Sequence, residues 1–385
     1  MQHVTLEAQL YRGELGQWCR ANLPGTGTVI ADVRRNLAAA GHPDPLRPAA
    51  PVAAEHWQLA ADAFRQRCTY LVDGAVPATA LLGAVRAGLV RRGWAEQTCT
   101  GHNDGDRWSP WRPGSPGWFG AARVDGADTA TKHEPVLTDL LTRTQIYLVD
   151  HAPPGTIGTP GAEAGLARSC WLAAAWENAA DGLPAELAAV HEQPGYRTED
   201  LRRVVPDAAL ADLVTMTGLL RSSGTLAYWR GERLGFETHN PRPLGTSRPV
   251  IVPHWATGDL LIGHRLTLVK APLQVDDDLV ARWLWQLLAC IWLDTNNRLD
   301  IGPADLYLAR HGVLTGWGST VFADSLLGGS GRAERGGRED FLRLARRVIA
   351  AAGAQPPGEW SHEKPTTAMP VDWSSHTWQP ASGSR

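Results

Sequence analysis

Apolar positions recur at helical spacing through most of the first 220 residues and give way to short, strand-length runs after them. Leu6, Leu10, Leu15, Val33 and Leu37 predict two helices within 4–38, parted by Leu23-Pro-Gly-Thr-Gly. A Pro-rich connector covers 41–53. Helices are expected at 54–72 and 77–93, the first with one face made of Trp57, Ala60, Ala61, Phe64 and Cys68. Residues 99–120 read as a long Gly/Pro/Trp loop, and 136–150 as a helix and turn. The clearest upstream helix spans 162–181, with Leu166, Cys170, Ala173 and Glu177 along one side, and 198–220 holds two more.

Beyond 220 the pattern predicts strands at 225–230 and 233–238 around a Gly231-Glu232 turn. Residues 259–270 read as two strands joined at Gly263-His264, opened by Asp259 and closed by Lys270. Residues 278–293 are apolar almost all round, so they predict a helix buried between sheet and neighbours. Arg282, Gln286 and Cys290 break that surface at i, i+4, i+8, forming one stripe. A buried polar group left unpaired costs about 1–3 kcal/mol, so the stripe must meet partners; Asp259 and Lys270 are the expected ones. A hairpin follows at 305–310 and 313–317, then a linker at 328–338 and a helix at 339–352. From Gln355 a Pro/Ser/Thr-rich tail, expected to be disordered, carries Trp360, Trp373 and Trp378. The fold class is α/β (α+β overall). The expected division is a mainly helical region at 1–160, a mixed-sheet core flanked by helices at 161–327, and linker, short helix and tail at 328–385.

Composition narrows the function classes. A net charge of −3 and a pI near 6.5 exclude a dedicated nucleic-acid coat, so any such contact must come from a local patch. Five scattered cysteines, with no C-x-x-C, indicate neither a zinc site nor a disulfide framework. No window approaches the roughly 20 apolar residues of a membrane span, and a cytoplasmic location without membrane partners is expected. Asn103-Asp104-Gly105-Asp106 lacks the ligand spacing of a calcium loop and reads as a turn. Trp108, Trp111 and Trp118 stack on bases, grip a partner, or pin the loop to its own domain, the last being the plainer reading. There is no G-x-S-x-G, P-loop or H-E-x-x-H.

Asp259, then Leu268-Val269-Lys270, then Gln286-Leu287-Leu288-Ala289-Cys290 carry a family pattern by order and spacing. Over about residues 240–320 the chain resembles the PD-(D/E)XK (restriction-endonuclease-like) nuclease superfamily, especially its RecB-type branch. The resemblance implies a restriction-endonuclease-like core with Asp259, Lys270 and Gln286 as catalytic or relic residues, and Mg²⁺ or Mn²⁺ on Asp259 only if the site is active. Two positions depart from it. Leu268 stands where the second metal-binding acid belongs, and Cys290 where the helix motif has tyrosine. Leucine offers no lone pair to a hard cation. Glu177 is the candidate for a relocated acid, Glu237 a second, and Asp276 to Asp278 a third, with Asp278 as a helix N-cap the plainer reading. Arg282, His254 and Arg265 are the candidate nucleic-acid contacts. The resemblance therefore implies a catalytically impaired nuclease-fold protein. Its partner would be DNA or a protein of the same bacterial DNA-processing or anti-phage defence system. An active nuclease with a relocated acid and a non-enzymatic scaffold remain the alternatives.

Overall fold

The computed structural model describes residues 5–40, 44–48, 54–102, 113–115, 118–122, 126–234, 242–329 and 333–354. Three helices open the chain: α1 (Leu6–Arg12), α2 (Glu14–Asn22) and α3 (Thr26–Ala39). Two were expected; the extra break falls at Gly13, whose extended backbone ends α1 while its N–H donates back to the Gln9 carbonyl. Then come α4 (Ala54–Val72), α5 (Ala78–Arg86), α6 (Arg92–His102) and α7 (Trp118–Ala121). The helix expected over 77–93 thus stops at Arg86, and α6 runs into the segment read as loop. Next are α8 (His133–His151), α9 (Pro160–Glu177), α10 (Ala185–Glu192), α11 (Thr198–Arg203), α12 (Asp207–Ser222) and α13 (Thr225–Leu234).

Helix α13 corrects the strand expected at 225–230 and the turn at Gly231-Glu232; residues 235–238 lie outside the described residues. Leu226 and Trp229 are both buried, at the i, i+3 spacing of one helical face. A run of six residues is too short for alternation to exclude that spacing.

The strands are β1 (Gly245–Ser247), β2 (Val250–Val252), β3 (Ala256–Thr257), β4 (Leu260–Ile262), β5 (Arg265–Lys270), β6 (Pro303–Leu308) and β7 (Val313–Gly318). Helix α14 (Asp277–Leu293) lies between β5 and β6, and α15 (Ser319–Leu326) and α16 (Ala333–Ala351) follow. Helix α16 begins six residues before the expected start of that helix at 339. The N-cap of α14 is Asp276, whose carboxylate accepts from Leu279 N–H at 2.8 Å, rather than Asp278.

One five-stranded mixed sheet has the order β1-β4-β5-β6-β7, and β2 and β3 form a separate antiparallel pair. Strands β1, β4 and β5 meander antiparallel, and α14 carries the chain to β6, which is parallel to β5. The β4–β5 turn places Gly263 at φ +59°, a left-handed conformation that glycine adopts without steric cost.

Helices cover both faces, so the four interior residues of β5, Leu266 to Val269, are all buried rather than alternately so. Its side chains still divide by parity. Val269 joins a core shared by α4, α5, α9 and α12, whereas Leu266 and Leu268 join one shared by α1–α3 and α14–α16. The first core crosses residue 160, since α4 packs along α9 and against β4. The second joins the opening helices to Phe341, Ala345, Val348 and Ile349 of α16. The segments expected as separate regions thus share their cores, and the tail with Trp360, Trp373 and Trp378 lies outside the described residues. Among the described residues no helix is long and apolar enough to cross a membrane.

Candidate functional site

The antiparallel β4–β5 turn and the α14 crossover bring Lys270 and Gln286 to one edge of the second core. Lys270 Nζ donates to Gln286 Oε1 at 3.1 Å. Both side chains also converge on a residue the pattern did not mark, Glu7 of α1. Its Oε1 accepts from Gln286 Nε2 at 2.9 Å and from Lys270 Nζ at 3.4 Å. The Lys270 charge pulls the Glu7 carboxyl down to about 2 against the opposing cost of burial, with help from Arg65 and the two hydrogen bonds. The Glu7 side chain is 57% exposed, so solvent screens that attraction.

Asp259 does not close this triangle directly. Its Oδ2 accepts from the Val269 backbone N–H at 2.8 Å, one residue before Lys270. Its Oδ1 faces two arginines, Arg65 Nη1 at 3.7 Å and Arg248 Nη1 at 4.0 Å. Arg248 reaches this place from a strained backbone, φ +49°, with its N–H donating to the Asp259 carbonyl at 2.8 Å. Its Nη2 donates to both oxygens of Glu177 at 3.0 and 2.9 Å, and Gln66 Nε2 donates to Glu177 Oε2 at 2.7 Å. Arg65 pairs with Asp62, one turn earlier on α4, and Asn178 holds the other Asp62 oxygen at 2.9 Å.

Arg65 is the hub. Burial opposes its charge, but the carboxylates of Asp62, Asp259, Glu177 and Glu7 outweigh that and hold the guanidinium firmly protonated. Four carboxylates (Glu7, Asp62, Glu177, Asp259) face three cations (Arg65, Arg248, Lys270), a formal balance of −1.

These residues do not fit a divalent ion. Mg²⁺ needs oxygens at about 2.0–2.1 Å in near-octahedral array. Leu268 is fully buried in the second core, and a guanidinium lies among the acids. Among the described residues no three His, Cys, Asp or Glu side chains are arranged to hold a metal. Glu177, the candidate relocated acid, is separated from Asp259 by cations: Arg248 pairs with Glu177 at 2.9 Å and lies 4.0 Å from Asp259. Glu237 lies outside the described residues.

The other expected contacts scatter. Arg282 lies one turn before Gln286, its guanidinium 4.5 Å from the Tyr11 ring centroid. His254 is at φ +56° with its ring 4.6 Å from that of Trp118 and Nε2 against the Trp118 carbonyl, so it anchors α7. Trp118 is accordingly buried against its own fold; Trp108, Trp111 and Asn103 to Asp106 lie outside the described residues. Arg265 is at the far end of β5 and on its opposite face, paired with Asp305 at 2.8 Å and Glu232 at 3.4 Å. Cys290 is fully buried, and burial pushes its thiol up, with the nearby Asp259 and Glu7 charges adding to the effect.

The residues missed were Glu7, Asp62, Arg65 and Arg248. One signal was present: Asp62, Arg65, Gln66 and Arg67 interrupt a helix whose neighbours Ala63, Phe64 and Cys68 are apolar. No family model, curated protein or solved structure matches the chain.

Proposed function

We propose that this protein is a restriction-endonuclease-like protein, closest to the RecB-type branch, whose cleavage centre has become an ion-pair network, and that it binds nucleic acid without cutting it. The order of elements supports the likeness: three antiparallel strands, a crossover helix and a parallel return, with Asp259, Lys270 and Gln286 on the second strand's entry, the third strand's end and the helix. The observation that carries the loss of cleavage is the Arg65 guanidinium paired with Asp62 and 3.7 Å from Asp259, where a metal would have to sit. A guanidinium supplies fixed positive charge and N–H donors. It has no vacant coordination position with which to activate water or polarise a phosphoryl oxygen, the two things a metal ion supplies. A role beside a protein partner in a bacterial DNA-processing or defence system belongs to the same proposal.

Incubation of single- and double-stranded DNA with Mg²⁺ or Mn²⁺ tests it. No cleavage is expected, together with retention on DNA that weakens steeply as salt rises. Leu268→Asp alone should leave the protein inactive, because Arg65 still occupies the centre. Metal-dependent cleavage that Lys270→Ala abolishes would overturn the proposal. Absence of retention even at low salt would favour a scaffold role.

A further inference from the structure

Helices α1 and α14 pack side by side, and each presents a pair of residues at i, i+4 to the seam: Glu7 and Tyr11 from one, Gln286 and Arg282 from the other. Leu6 and Leu10 are buried and anchor α1 from below. Above them Tyr11 is 52% exposed. Two guanidiniums lie over its ring, Arg282 at 4.5 Å and Arg12 at 5.2 Å from the centroid. Among the described residues neither arginine has a carboxylate within 4.0 Å, unlike Arg65 and Arg248. A half-exposed aromatic ring stacked with two cations that have no carboxylate partner within 4.0 Å among the described residues is a combination suited to one ligand chemistry: an unstacked base that replaces a guanidinium on the ring while the released cations take the phosphates on either side.

We infer that this seam is a docking site for single-stranded nucleic acid, in which Tyr11 stacks on a base, Arg12 and Arg282 take the flanking phosphates, and Lys270 takes a further phosphate in place of Glu7. This rests on the nucleic-acid reading above and adds its location and strand preference. The geometry sets the order along the strand. Glu7 and Tyr11 are about 6 Å apart along the α1 axis, one rise of four residues. Lys270 is covered, its side chain 13% exposed, and the carboxylate over it belongs to Glu7, which is 57% exposed. A phosphate can therefore reach Lys270 by displacing one solvent-facing side chain, with α1 left seated on Leu6 and Leu10. Glu7 acts as an internal competitor, occupying with its carboxylate the place the phosphate would take. Duplex DNA keeps its bases stacked and offers no face to Tyr11, so a single strand is the preferred form.

Fluorescence anisotropy with a labelled oligothymidylate of about 15 nucleotides, its duplex and the matching oligouridylate, over a salt series, tests the inference. Single strands should bind the full chain more tightly than duplex; DNA against RNA preference distinguishes the source of the shared chemistry. Tyr11→Ala should weaken binding about tenfold or more, and Tyr11→Phe should keep it. Arg282→Ala should lower the salt slope by about one. Glu7→Gln should tighten binding severalfold and raise the slope by about one, and that gain should vanish in Glu7→Gln/Lys270→Ala. Tyr11 and Arg12 are exposed, so variants there leave folding intact, and a thermal melt checks it. If oligonucleotide binds but Tyr11→Ala, Arg282→Ala and Glu7→Gln all behave as wild type, this site is wrong while the broader reading stands. Tighter binding to duplex also overturns it. If neither wild type nor Glu7→Gln binds any of the three probes at low salt, both fall.

Discussion

Helix α4 carries two arginines two residues apart, on opposite faces, and they illustrate different uses of a buried cation. Arg67 meets a single carboxylate, Glu163, through Nε at 2.7 Å and Nη2 at 2.8 Å, and both side chains are only 4% exposed. Glu163 Oε1 also accepts from Gly158 N–H at 2.7 Å. Arg65, 20% exposed, pairs with Asp62 and, at a loose 3.7 Å, with Asp259, while the charges of Glu177 and Glu7 farther off also favour its protonated form. The Arg67 pair is balanced and closed, as a structural tie should be. The Arg65 network is acidic overall, spread over many elements and open at Glu7. Its four acids and three cations leave one negative charge in excess, and no single pair closes on itself as Arg67 and Glu163 do.

The largest effect should come from Arg67→Met. It leaves Glu163 buried without its counter-ion and should cost about 3–5 kcal/mol in a urea melt, most of it recovered by Arg67→Met/Glu163→Met. If the single variant melts like wild type, the contrast between the two faces fails.

Acid separates the same two sides. Against α9, on the Arg67 side, His191 accepts from Trp176 Nε1 at 3.3 Å and meets His133 Nδ1 at 3.1 Å. Burial pulls His191 from 6.5 down to about 4, helped by the His133 and Lys132 charges. The unfolded chain therefore binds the extra proton first. Stability is complete above pH 6.5 and falls by about 2–3 kcal/mol as the pH drops towards 4. His191→Phe should flatten that window. On the Arg65 side Glu7 shifts from 4.5 to about 2, so its contribution is complete above pH 4.5 and is lost only as the pH falls towards 2. Urea melts between pH 7 and pH 2 read both windows.

A smaller loss, about 1–2 kcal/mol, is expected for Arg65→Met, because solvent reaches the site and Arg248 and Lys270 remain; Asp259→Asn added to it should recover part of the loss. The smallest change should follow Lys270→Ala, under about 1 kcal/mol, since its Glu7 partner is solvent-exposed. A loss as large as that of Arg67→Met would make the Lys270 triangle structural.

Much of this centre's frame was legible before the fold was known. The Gly263 turn, the strand ending at Lys270, the all-apolar helix with Gln286 and the β6–β7 hairpin each announce themselves through local spacing and turn residues. The stripe Arg282, Gln286, Cys290 required polar company, and Gln286 found Lys270 as expected. Glu7 gave no such signal, because one acid on a short amphipathic helix looks like any solvated position. Arg65 and Arg248 were hidden for a related reason: nothing in the spacing of Arg65-Gln66-Arg67 tells which arginine closes on one acid and which is shared between Asp62 and Asp259.

The amino-acid sequence by itself determined the elements that depend on short-range periodicity and turn chemistry: a helical first half, the β4–β5 and β6–β7 hairpins, and the buried α14. Only the tertiary structure decided which charges meet. The acids and cations of the network come from positions 7, 62, 65, 177, 248, 259 and 270, and packing on the two faces of one sheet brings them together. Burial makes each charge costly unless an opposite charge is near, and that constraint acts on distance in space, which spacing along the chain does not encode.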